Sequence, residues 1–106
     1  MDDKISLIHD SLKELTLDFV NCKRNRKETV RELKKRIDAN FIYRMEGNDL
    51  LFEAFVSLEH LTEKGFATSF EEMKYLAECF EGTRQFNRIE ARQFIVGPFQ
   101  DENPPT

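Results

Sequence analysis

Tryptophan is absent from this chain, and glycine (four), proline (three), cysteine (two) and histidine (two) are scarce among its 106 residues. All three prolines lie at or after position 98, so the first 97 residues contain nothing that must break a helix. The glycines are dispersed and form no phosphate-cradling loop. Cys22 and Cys79 stand alone, with no CxxC spacing, which rules out a disulfide framework and a zinc or redox motif. They read as free thiols, with a Cys22–Cys79 bridge geometrically open but rare in a reducing compartment. His9 and His60 fit no HxxxH, HExxH or ExxH spacing, so no metal and no cofactor is expected. No apolar run reaches ten residues, which argues against a membrane span or a signal-peptide core. Met1-Asp2-Asp3-Lys4 is acidic where a secretory leader is basic, and the expected location is cytoplasmic.

What is present is a core and a heavily charged surface. Apolar residues make up 40% of the chain, ten of them Phe, which suits a compact Phe/Leu/Ile interior. Charged residues reach 34%, above the quarter typical of a globular domain. The length is that of one domain, large enough to bury a core without staples. Residues 1–98 are expected to form it, with a mobile tail over 99–106 that ends in Pro104-Pro105.

The apolar spacing is helical throughout. Ile5, Ile8, Leu12, Leu15 and Phe19 recur at steps of three and four and fall within an arc of roughly 80°, predicting a helix over 3–21. Asn25 and Glu28 read as a capping box opening a second helix, with Val30, Leu33, Ile37 and Phe41 as its stripe and an end near Tyr43 or Arg44. Glu46-Gly47-Asn48-Asp49 is a turn cluster. A third helix is predicted over 49–64, closed by Gly65, and its wide apolar surface (Leu50, Leu51, Ala54, Phe55, Leu58 and Leu61, with Phe52 and Val56) predicts a central position. Ser69 and Glu72 read as a second capping box, with Phe70, Met73, Leu76, Ala77 and Phe80 as the buried face and Gly82 as the stop. A short last helix over 88–96 is capped by Asn87 and stopped by Gly97-Pro98. The expected fold is all-α, a compact bundle of four main helices plus a short C-terminal helix.

Charge is segregated along the chain. Residues 23–36 carry eight cations against Glu28 and Glu32, a net of +6, whereas residues 46–81 carry nine acids against Lys64 and Lys74, a net of −7. Lys27, Arg31 and Lys34, with Lys35 nearby, line one flank of the second helix and offer a face for nucleic-acid phosphates. The bland account is a solvated face neutralised by pairs such as Glu32–Arg36, and a pI near 5.2 argues against a nucleic-acid binder. On the acidic side, Glu71, Glu78 and Glu81 lie beside the apolar stripe of the fourth helix, and Tyr75 and Cys79 lie roughly opposite it. Either these acids are surface charge for solubility, with Tyr75 and Cys79 packed under another helix, or they form an acidic surface with an aromatic anchor that covers a basic partner.

Nothing local supports catalysis. Acid pairs such as Glu71-Glu72 are inevitable among twenty acids, and acid–base chemistry needs burial and a cleft that the pattern does not supply. The chain is expected to bind and not to catalyse.

Two stretches, Leu58-Glu59-His60-Leu61-Thr62-Glu63 and Ser69 through Gly82, resemble segments of small helical immunity proteins. Those proteins accompany nuclease toxins in colicin-like and contact-dependent bacterial competition. The resemblance covers about 40 residues and implies a cytoplasmic antidote that covers a toxin's active site; the chain itself is expected to be a monomer or a homodimer. Nuclease clefts are basic because they attract phosphate, and an acidic helical surface imitates that charge. On this reading Glu59, Glu63, Glu71, Glu78 and Glu81 pair with toxin cations and Tyr75 anchors. The basic second helix departs from a uniformly acidic decoy. It leaves a regulatory or nucleic-acid-binding module using Lys27, Arg31, Lys34 and Lys35 as the alternative, and a homo-oligomeric module as a third.

Overall fold

The computed structural model describes residues 2–44, 49–63, 67–87 and 89–91. Among these the chain is helical and has no strand. Helix α1 spans Asp2–Val20, α2 Arg26–Arg36, α3 Ala39–Arg44, α4 Asp49–Glu59 and α5 Phe70–Glu81, with a 3₁₀ turn at His60–Thr62. None of the described helices is long and apolar enough to cross a membrane.

The α1 stripe is buried as its spacing predicts: Ile8, Leu12, Leu15 and Phe19 enter the core and Ile5 packs against it. The helix ends in a Schellman motif, with Cys22 N–H donating to Phe19 O (3.0 Å) and Lys23 N–H to Asp18 O (2.7 Å). Cys22 occupies the left-handed position of that motif at φ 64°, where glycine is the usual residue. Thr16, inside the α1 face and fully buried, has a hydroxyl with no partner among the described residues.

The predicted second helix is two helices. Asn25 and Glu28 form the full capping box, Asn25 Oδ1 accepting from Glu28 N–H (2.8 Å) and Glu28 Oε1 from Asn25 N–H (3.0 Å). The helix stops at Arg36 because Ile37 turns extended (φ −129°, ψ 131°) and Asp38 accepts from Asn40 N–H, opening α3. Short polar side chains that bond their own backbone compete in this way with helix continuation. The break also answers a packing need. In an unbroken helix Ile37 and Ile42 would sit about 140° apart, yet both are buried.

Helix α4 packs against α1, α2, α3 and α5, as its apolar breadth predicts. It is shorter than expected, giving way to the 3₁₀ turn at His60; Gly65 lies outside the described residues. Helix α5 runs between the predicted limits, and Gly82 closes it at φ 81° with the same Schellman pattern: Gly82 N–H to Cys79 O (3.2 Å) and Thr83 N–H to Glu78 O (3.1 Å). Residues 89–91 are helical and Asn87 Oδ1 accepts from Ile89 N–H and Glu90 N–H, but the rest of the predicted 88–96 helix and the tail lie outside the described residues.

Candidate interaction surface

The acidic residues singled out from sequence are distributed over the end of α4 and the length of α5. Glu59 closes α4 and is half-buried, and Glu63 follows the 3₁₀ turn, exposed. The chain then returns close to the same place: Thr68 N–H donates to His60 O (3.2 Å) and Thr68 Oγ1 donates to Ser57 O (2.6 Å). That fixes the start of α5, and with it Glu71, beside the end of α4. Along α5, Glu71, Glu78 and Glu81 fall within an arc of about 80° and span roughly 15 Å, with Lys74 inside the row. Glu71 and Glu81 are exposed, and Glu78 is half-buried with Arg84 at 3.7 Å. Glu59, Glu63, Glu71 and Glu81 have no ionic partner among the described residues.

Tyr75 is not part of this surface, which corrects its assignment as an exposed anchor. It is 1% exposed, although it lies only about 40° around the helix from Glu71. The chain beyond Gly82 folds back over it. The Arg84 guanidinium stacks 5.0 Å above the ring, and Phe86 lies at 6.3 Å. The Tyr75 hydroxyl donates to Asn87 O (3.2 Å) and accepts from Asn87 N–H (2.8 Å), fixing the residue that caps the next helical turn. Burial pushes the Tyr75 phenol up to about 12. Burial likewise pushes the neighbouring Cys79 thiol up. Both cysteines are free thiols, Cys22 exposed and Cys79 half-buried.

Glu72 is the residue whose place sequence reasoning missed. Ser69 Oγ accepts from Glu72 N–H (3.0 Å), half of the expected capping box, but the Glu72 side chain turns inward and is 3% exposed. Its carboxylate accepts from Ser57 Oγ of α4. Burial raises its pKa and the nearby charge of Glu53 adds to that, against the Ser57 bond, which lowers it. Ser57 itself was the signal: a hydroxyl set within the apolar surface of α4 needs a buried polar partner.

The basic stretch is divided between structural and free cations. Arg24 pairs with Asp18 (3.2 Å), Arg36 with Glu14 (2.9 Å) and Glu32 (3.1 Å), and Lys35 with Glu32 (3.5 Å). Arg26 stacks on Phe19 and donates to Leu61 O (2.9 Å) and Thr68 O (2.7 Å), tying α2 to both sides of the turn before α5. Lys27, Arg31 and Lys34 remain exposed with no ionic partner among the described residues. His9 stands edge-on to Phe80, with ring centroids 5.4 Å apart, a packing role. Among the described residues no three His, Cys, Asp or Glu side chains cluster as metal ligands.

Compared with known proteins, the chain matches no family model, no curated protein and no solved structure.

Proposed function

We propose that this chain is an immunity-type inhibitor that binds and neutralises a cognate bacterial toxin, a nuclease by the fit of charge, covering its basic active site with an acidic helical surface. Its scaffold is a compact bundle of four main helices with a short C-terminal helix. The observation that carries the reading is the row of acids without ionic partners among the described residues at the end of α4 and along α5. Four of the eight cations of residues 23–36 (Arg24, Arg26, Lys35 and Arg36) are held in internal contacts; Glu63, Glu71 and Glu81 are exposed and Glu59 is half-buried, all four without an ionic partner among the described residues. Uncompensated surface charge of one sign steers a partner of the other sign and selects it. The recognition set is therefore these four acids with Glu78, and it lacks the Tyr75 anchor. The resemblance of Leu58–Glu63 and Ser69–Gly82 to immunity proteins is a second support.

The test is co-expression with the product of the adjacent gene, followed by the combined charge reversal of Glu59, Glu63, Glu71 and Glu81 to Lys. Protection that is lost in the reversed protein, while its circular dichroism is unchanged, is the expected outcome. An adjacent product that is not toxic, or that stays toxic beside the unaltered protein, removes the reading.

A nucleic-acid-binding role for the free cations Lys27, Arg31 and Lys34 is the second reading. Three free cations on one flank predict a shallow salt slope against duplex DNA or RNA, about −3 in log K against log salt. Absence of binding at low salt excludes it.

A further inference from the structure

A groove of opposite character lies between the first turns of α1 and the α2–α3 junction. It encloses about 470 Å³, within the range of ligand clefts. Ile8, Ile37 and Phe41 supply apolar lining, and Leu7, outside the α1 stripe, stands beside them 66% exposed. Three cations border it: Lys4 from α1, Arg36 from α2 and Arg44 from α3. Lys4 Nζ sits 5.1 Å from the Phe41 ring centre, and neither Lys4 nor Arg44 has an ion pair among the described residues. Asp38, the one acid in the lining, has its carboxylate engaged by Asn40 N–H at the start of α3.

In a chain of net charge −4, Lys4 and Arg44, without ion pairs among the described residues, flank an exposed leucine and a partly exposed phenylalanine. Solubility does not require that pairing. An apolar patch with a polar rim marks a contact site, and the sign of the rim selects the guest. We propose that this groove docks an acidic amphipathic helix of a partner protein, its apolar side chains on Leu7 and Phe41 and its carboxylates on Lys4 and Arg44. Helix-in-groove recognition of this kind reads apolar anchors at i, i+3 or i+4, and i+7. The site shares no residue with the acidic face and stands or falls separately from the reading above.

The probe is a fluorescein-labelled helical peptide of about four turns, with leucine anchors and glutamates between them, set against the same peptide with lysine in place of glutamate. Fluorescence anisotropy on the full chain is expected to show the glutamate peptide binding at least about tenfold more tightly than its lysine counterpart at low salt. Combined Lys4→Glu and Arg44→Glu weakens it by about tenfold or more, as does Leu7→Ser, a substitution at an exposed position that leaves the core intact. Amide shifts on titration fall at residues 4–8 and 36–44. Equal or stronger binding of the lysine peptide overturns the proposal, as does binding indifferent to both variants or shifts confined elsewhere. Decanoate binding that obeys the same variants, without peptide binding, also overturns it and assigns the groove to a small anionic amphiphile.

Discussion

Helices α2 and α5 open with the same local signature, a capping residue followed three positions later by glutamate: Asn25 with Glu28, and Ser69 with Glu72. At α2 the box closes on itself, and both bonds lie at the surface. At α5 only the backbone half forms, because Glu72 finds Ser57 across the interface with α4. The difference lies in the neighbours. The first turn of α2 has solvent on its outer side, so Glu28 has no better partner than its own cap. The first turn of α5 lies against α4, where Ser57 would otherwise bury an unsatisfied hydroxyl. A local motif is completed locally only when tertiary packing offers its side chain nothing better. Each helix start is also tied to the rest of the fold by one polar side chain: Arg26 reaches outward from α2, and Glu72 reaches inward from α5.

The largest expected effect comes from cutting the first tie. Arg26→Ala removes two charge-assisted hydrogen bonds to Leu61 O and Thr68 O, together with the stack on Phe19. Urea denaturation should show a loss of about 2 kcal/mol. Arg26→Lys should recover less than half of that, because an ammonium cannot reproduce the stacked planar guanidinium. A lysine variant as stable as the original would show that charge alone holds the turn.

Cutting the second tie should act in the opposite direction. Burial raises the Glu72 pKa above its unfolded value. The native state therefore holds the proton more tightly than the unfolded chain. The resulting stabilisation is complete below the ordinary carboxylate range and is lost as pH rises through the raised folded value. Above that value a charged carboxylate faces Glu53 and a single hydroxyl donor in a buried site. Glu72→Gln keeps an acceptor for Ser57 and carries no charge. It should stabilise the protein by about 1 kcal/mol near pH 8 and leave it almost unchanged in acid. Denaturation midpoints measured across pH test this directly, and a variant with the same pH slope as the parent would place the titration elsewhere.

Most helix positions were legible because each depends on local chemistry. The α1 stripe, the Asn25 box, the Ser69 cap and the Gly82 stop all follow from a few adjacent residues. The failures share a cause at longer range. Asp38 ends a helix that the stripe Val30-Leu33-Ile37-Phe41 would continue, because burying Ile42 with Ile37 needs a break. From sequence Tyr75 reads either as packed or as an exposed anchor, and only the return of the chain after Gly82 decides for burial. The acidic row was legible as a row, but its separation from Tyr75 was not. Cys22 shows the same limit on a smaller scale, since nothing in Asn21-Cys22-Lys23 announces a left-handed residue.

That residue allows a matched comparison with the other end of α5. Cys22 and Gly82 hold equivalent places in two Schellman motifs, and a Cβ on Gly82 would meet nothing within 4 Å. Gly82→Ala should therefore cost about 1 kcal/mol from backbone strain alone. Cys22→Gly should gain a few tenths of a kcal/mol, roughly the relieved strain less the added freedom of the unfolded chain. Equal effects of one sign at both sites would show that the two turns are not equivalent.

The smallest effect returns to the two capping glutamates. Among the described residues Glu28 Oε1 accepts only from Asn25 N–H, at an exposed site where water competes for the same donor. Glu28→Ala should cost about half a kcal/mol or less, and the loss should shrink further in salt, because part of it is the carboxylate's attraction to the α2 dipole. Asn25→Ala, which leaves the Glu28 N–H without its acceptor, should cost about 1 kcal/mol. The ratio of the two losses separates the backbone half of the box from the side-chain half. If Glu28→Ala costs as much as Asn25→Ala, the reciprocal bond contributes to α2 as strongly as the cap itself. In that case the diversion of Glu72 forgoes a comparable contribution at the start of α5, and the contact with Ser57 must supply more than that bond would have.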